Sequence, residues 1–85
     1  MIVDMLLRLT EVQPRRPYIL RVRFDDGVWM EVDLGDELDG EVFEPLLEPG
    51  FFERAFLNPE TGTVEWPNGA DLAPTFLRDR GTPVE

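Results

Sequence analysis

Tyr18-Ile19-Leu20-Arg21-Val22-Arg23-Phe24-Asp25-Asp26-Gly27-Val28-Trp29-Met30-Glu31-Val32-Asp33-Leu34 is the stretch that decides the fold. Tyr18, Leu20, Val22 and Phe24 alternate with Ile19, Arg21 and Arg23, the two-residue period of a strand with one buried face. Val28, Met30, Val32 and Leu34 alternate with Trp29, Glu31 and Asp33 in the same way. The chain must therefore reverse at Asp25-Asp26-Gly27. A two-residue turn at Asp26-Gly27 would set Val22 opposite Glu31 and mix the faces. A three-residue loop with Gly27 left-handed pairs Phe24 with Val28 and Val22 with Met30, which keeps one face wholly apolar. That register also sets Arg21 opposite Glu31 and Arg23 opposite Trp29, cross-strand pairs of roughly 0.2–1 kcal/mol each.

Working outward, residues 6–12 read as a preceding strand, ended by Gln13-Pro14-Arg15-Arg16-Pro17. Leu7 and Leu9 alternate but Val12 is out of phase, and a bulge would reconcile them. On the other side, residues 34–41 form an acidic connection. Phe43, Leu46 and Leu47 then follow helical spacing until Glu48-Pro49-Gly50, and residues 50–54 offer a second helical turn with Phe51 and Phe52 facing the core. Residues 55–58 and 63–66 read as a second hairpin around Pro59-Glu60-Thr61-Gly62, pairing Leu57 with Val64 and Ala55 with Trp66, with Glu65 beside Phe56 on the opposite face. Trp66-Pro67-Asn68-Gly69 closes that strand in a turn. Asp71 and Pro74 are expected to start a short last helix, Asp71 as its cap, with Phe76 and Leu77 sealing the core. The expectation is one α+β domain over residues 1–85: a small, mostly antiparallel sheet made of a three-stranded meander plus a hairpin, with short helices on one face. Residues 80–85 are expected to fray.

The composition narrows the chemistry. The chain has 85 residues, with no Cys and no His, and all eight of its basic residues are Arg; Ser is absent as well. Disulfides, Cys-ligated metals, Ser or Cys nucleophiles, the usual His base and a Schiff-base lysine are therefore excluded. Carboxylates, threonines, Tyr18 and arginines are the groups left, and so small a domain rarely encloses a deep pocket. The expectation is a non-enzymatic protein with no cofactor. A calcium loop with Gly40 as its turn glycine fails, because Gly35 and Leu46 would fall on ligand positions. No apolar run approaches the ~20 residues of a membrane span. Met1-Ile2-Val3-Asp4 does not read as a signal peptide, so the expected location is the cytoplasm.

Charge supplies the candidate sites. The formal net charge is -10, which disfavours bulk nucleic-acid binding and favours a small basic protein partner; solubility alone also explains an acid excess. Asp33, Asp36, Glu37, Asp39 and Glu41 are the acidic contact candidates, with unpaired sheet edges available for strand addition or a homodimer. Arg21 and Arg23 beside Trp29 could form a nucleic-acid stripe, but a solvated sheet face with one charge pair and an Arg–Trp stack accounts for them. Arg15 and Arg16, unpaired in a Pro-bounded loop, are the better candidates for contacting an anion. Trp66 and Asn68 admit two readings: core packing and turn geometry, or a docking loop beside a Trp66-Pro67 ridge.

Three stretches together resemble a known family. These are Phe24-Asp25-Asp26-Gly27 followed by Val32-Asp33-Leu34; Val42-Phe43-Glu44-Pro45-Leu46 with Phe52 beyond; and the run from Asn58 to Pro74, whose Trp66-Pro67-Asn68-Gly69-Ala70-Asp71-Leu72 segment is the most specific. The likeness, from about Leu9 to Leu77, is to the bacterial family called domain of unknown function 2442. It implies an α+β fold like the N-terminal domain of a Nitrosomonas protein, and brings no activity, cofactor or catalytic residue. Members are often encoded beside another small uncharacterised family, and the resemblance implies the antitoxin-like half of a toxin–antitoxin pair. Some members carry a C-terminal helix-turn-helix, and none is expected within these 85 residues.

Overall fold

The computed structural model describes residues 7–84. Strands β1 (Leu9–Arg15), β2 (Ile19–Phe24) and β3 (Trp29–Asp33) form an antiparallel meander. The β2–β3 register is the one that alternation demands: Val22 faces Met30, Arg21 faces Glu31 and Arg23 faces Trp29. The Phe24 N–H donates to the Val28 carbonyl at 2.9 Å, and Gly27 sits at φ +90°, a conformation that side chains with a Cβ resist. A register shift between Leu9 and Glu11 leaves Thr10 as the extra residue of a bulge. It brings Leu9 and Val12 to one face and so resolves the broken phase. β1 starts and ends later than its sequence suggests, with Leu6 outside the described residues. It continues through Pro14 because it is an edge strand, where a proline is tolerated.

After β3 the chain makes a 3-10 turn, Glu44–Leu47, and a single helical turn, α1 (Pro49–Phe52). A second antiparallel sheet follows, built from β4 (Phe56–Asn58), β5 (Thr63–Glu65) and β6 (Asp71–Leu72). Leu57 faces Val64 and Phe56 faces Glu65, as the pattern predicts, and Gly62 adopts φ +73°. Asp71 does not cap the last helix. The Trp66 N–H donates to the Ala70 carbonyl (2.9 Å), which carries the ladder onward, so Asp71 pairs with Glu65 as strand. Helix α2 (Pro74–Arg80) starts instead from Ala73 with Pro74 in its first turn and no side-chain cap.

Part of the segment expected to fray is paired, with Glu85 outside the described residues. Strand β7 (Thr82–Pro83) adds to the first sheet beside Met30 and Glu31, giving the order β1-β2-β3-β7. Gly81 permits this return: a Cβ there would lie 2.8 Å from the Leu77 carbonyl oxygen and 3.0 Å from Val32 Cγ2.

Leu20, Val22, Phe24, Val32, Leu34, Leu46, Phe52, Val64, Trp66 and Leu77 form the fully buried core. Tyr18, Phe52 and Trp66 stack through it edge to face and tilted, with centroids 5.6 and 5.7 Å apart. The Leu9 N–H donates to the Gly62 carbonyl (2.8 Å), joining the two sheets. Helix α2 is fixed by Leu77 inside and by two arginines outside. Arg78 lies 4.7 Å from the Phe24 ring centroid and pairs with Asp26 at 2.8 Å, while Arg80 pairs with Glu37.

Candidate functional site

The acidic connection after β3 is held from below by two leucines. Leu34 and Leu38 are buried, and the Leu34 N–H donates to the Tyr18 carbonyl (2.8 Å). Asp33 turns its carboxylate onto the Gly35 N–H (3.0 Å) and so helps form the turn. Asp36, Asp39 and Glu41 point to solvent, as do Glu44 and Glu48 further on. Among the described residues, Glu37 alone of the acids between positions 33 and 48 has an arginine within ion-pair distance. The structure thus keeps the expected acidic residues on one continuous segment but assigns two of them, Asp33 and Glu37, to internal bonds.

Two residues that the sequence reading passed over lie within this segment. Val42 is 48% exposed and Leu47 40% exposed, both large apolar side chains facing water. Their backbone is not loose. Asn68 Nδ2 donates to the Val42 carbonyl (3.0 Å), and the Tyr18 hydroxyl donates to the Leu47 carbonyl. Asn68 is fixed in turn, its Oδ1 accepting the Ala70 N–H at 3.1 Å. The available signal was the pair Leu46-Leu47: one tight helical turn can bury only one of two successive residues, and here it buries Leu46.

Trp66 does not form an exposed ridge. It is 1% exposed, and its indole N–H donates to the Phe52 carbonyl at 2.9 Å. Its large ring is worth more in the core than on the surface, so of the Trp66–Asn68 pair only Asn68 is presented outward.

The arginines are largely occupied. Arg16 is not unpaired: its guanidinium meets the Glu53 carboxylate with Nε 2.6 Å and Nη2 3.4 Å from the two oxygens. Arg15 donates to Gln13 Oε1 at 2.9 Å. Arg21 lies 3.9 Å from Glu31. Arg23 faces Trp29 in the register, but the expected stack does not form. The guanidinium groups that do cover rings are Arg54 on Phe51, Arg78 on Phe24 and Arg80 on Phe76. Asp26 is the carboxyl that this network perturbs: the hydrogen bond from Arg78, and then the Val28 N–H, hold it below its ordinary 3.8.

The edges of the first sheet do not invite strand addition. β1 carries Pro14 and β7 carries Pro83, residues that lack the N–H a new strand would need. Among the described residues no three carboxylates converge as a metal site, and no helix is long and apolar enough to cross a membrane.

No curated protein and no solved structure matches the chain, so the expected likeness to a Nitrosomonas domain gains no support. A family match does exist, over residues 9–83, and it takes in every strand of both sheets, β7 included. With nearly the whole fold inside that match, the chain belongs to the family described as protein of unknown function (DUF2442).

Proposed function

We propose that this domain is a non-enzymatic protein-binding module that takes a small basic partner on the segment between Asp36 and Glu48. The observation that carries the reading is the pairing of two exposed apolar side chains, Val42 and Leu47, with five exposed carboxylates that have no arginine partner among the described residues, on one backbone-anchored segment. Apolar anchors within a charged surround are the usual anatomy of a protein-recognition surface. The acids speed encounter with a cationic partner, and the apolar pair supplies the contact that persists. Backbone anchoring through Asn68 and Tyr18 lowers the ordering cost on binding. A cytoplasmic antitoxin that masks the basic face of its toxin is the role that fits this chemistry and the family context together. The nucleic-acid alternative is weaker, because Arg16, Arg78 and Arg80 already sit against carboxylates and the chain carries a formal net charge of -10.

The test is a tagged pull-down from native host extract, with and without nuclease. It is followed by the variants Asp36→Arg/Asp39→Arg/Glu41→Arg and, separately, Leu47→Asp. The expected result is one small basic protein recovered stoichiometrically in both samples, with affinity reduced at least about tenfold by either variant. Recovery that vanishes with nuclease, or bait alone in the eluate, overturns the reading.

A further inference from the structure

The outer face of the first sheet carries a concavity whose chemistry is the opposite of the acidic segment. Cross-strand rows there run Glu11–Arg23–Trp29 and Gln13–Arg21–Glu31. Val84 closes one side, its N–H donating to the Trp29 carbonyl at 2.9 Å. Gln13, Arg21, Trp29 and Val84 line a shallow cavity of about 300 Å³. That volume is at the lower end of the roughly 300–1,000 Å³ typical of small-ligand sites, and admits one ring system with a short polar arm.

The lining is rich in donors. Trp29 is half-buried, yet among the described residues its indole N–H has no acceptor and no guanidinium covers its ring. Arg21 meets Glu31 only through Nε at 3.9 Å, which leaves the two-pronged edge of its guanidinium for another acceptor. Gln13 has its oxygen engaged by Arg15, so its amide N–H groups remain to donate. Three donor groups beside an aromatic face call for a planar acceptor. Glu11 and Glu31 flank the same rows, and the chain is strongly acidic, so a dianion or polyanion is disfavoured.

From this arrangement we infer that the outer sheet face binds a small planar aromatic monocarboxylate. The ring lies on Trp29 against Val84, and the carboxylate is held by Arg21 and Gln13. This site is separate from the acidic segment and does not depend on it.

The test is a nitrogen-15 NMR titration of the two indole N–H signals, using indole-3-acetate as probe and indole-3-acetamide as its neutral counterpart. The Trp66 signal, held on the Phe52 carbonyl, is the internal reference for an intact core. Indole-3-acetate is expected to shift the Trp29 signal saturably, with a dissociation constant of about 1 mM or below. The amide is expected to bind at least about tenfold more weakly, and Arg21→Ala to cause a similar loss, whereas Arg23→Ala stays within about twofold. Absence of a shift at about 10 mM probe, equal binding of acid and amide, or indifference to Arg21→Ala overturns the inference. So does tighter binding of uridine monophosphate than of indole-3-acetate, which would assign the face to nucleotides.

Discussion

The same substitution, Trp to Phe, should have very different costs at the two tryptophans. Trp66→Phe removes the indole N–H that binds the Phe52 carbonyl at 2.9 Å. That carbonyl keeps a second, longer bond from the Ala55 N–H at 3.2 Å, so the loss is set by one ordinary hydrogen bond, about 1 kcal/mol, rather than by a fully orphaned acceptor. The smaller ring also leaves a gap beside Phe52 and withdraws buried area, adding about 1–2 kcal/mol. The sum is about 2–3 kcal/mol, a large share of the stability of a domain this size. At about 4–8 °C per kcal/mol, the melting temperature should fall by roughly 10–20 °C. Trp29→Phe touches a half-buried ring whose indole N–H has no described acceptor, and should stay within about 0.5 kcal/mol. Urea unfolding followed by far-ultraviolet circular dichroism measures both without relying on tryptophan emission. Unchanged m-values are expected, since neither variant alters the surface exposed on unfolding by much. A Trp66→Phe cost under about 1 kcal/mol, or equal costs at the two sites, would refute the placement of Trp66 as a hydrogen-bonded core residue.

Two further predictions rest on single contacts. Gly81→Ala has no left-handed strain to contend with, because φ is -81°, but its new Cβ meets the Leu77 carbonyl and Val32; a loss of about 1–3 kcal/mol in thermal unfolding is expected, and a neutral variant would show that β7 does not close against β3. Asp26 should titrate below 3.8 in a carbon-13 NMR experiment and move back towards it in Arg78→Ala. Because its folded-state pKa is lowered, its contribution is present above 3.8 and lost as pH falls through the folded value, so the stability gap between wild type and Arg78→Ala should narrow as pH falls below 3.8, down to what the Arg78–Phe24 contact supplies; a midpoint at or above 3.8 would contradict the pairing.

Local pattern carried much of the fold. The choice of a three-residue loop at Gly27 followed from which register keeps Val22, Phe24, Val28 and Met30 on one face, and the bulge near Thr10 followed from the phase break between Leu9 and Val12. The failures share a cause: each depends on a partner distant in sequence. Thr82-Pro83 has too few residues to show a period, and becomes a strand only because β3 offers an open edge. Asp71 looked like a helix cap by type and position, yet the Trp66–Ala70 hydrogen bond draws it into a ladder. Arg16 reads as free until Glu53 is folded against it. Within the acidic segment, the charges were legible from composition. The exposure of Val42 and Leu47 was not: Leu47 shares the helical spacing of Phe43 and Leu46, and only the packing decides that Leu46 is the one buried.

The pairing of β3 with β7 also governs what a growing chain must wait for. Met30 finds Pro83 only after the fifty-odd residues between them have been made. The β2–β3 hairpin can close in microseconds, whereas synthesis of the residues that follow it takes on the order of seconds. During that interval the nascent meander displays a bare strand edge. The apolar row of Leu20, Val22, Met30 and Val32 has no Leu77 over it. Completion of α2 and β7 therefore ends a period of vulnerability to misassociation, and places Pro83, a residue with no N–H to offer, on the margin that had been open.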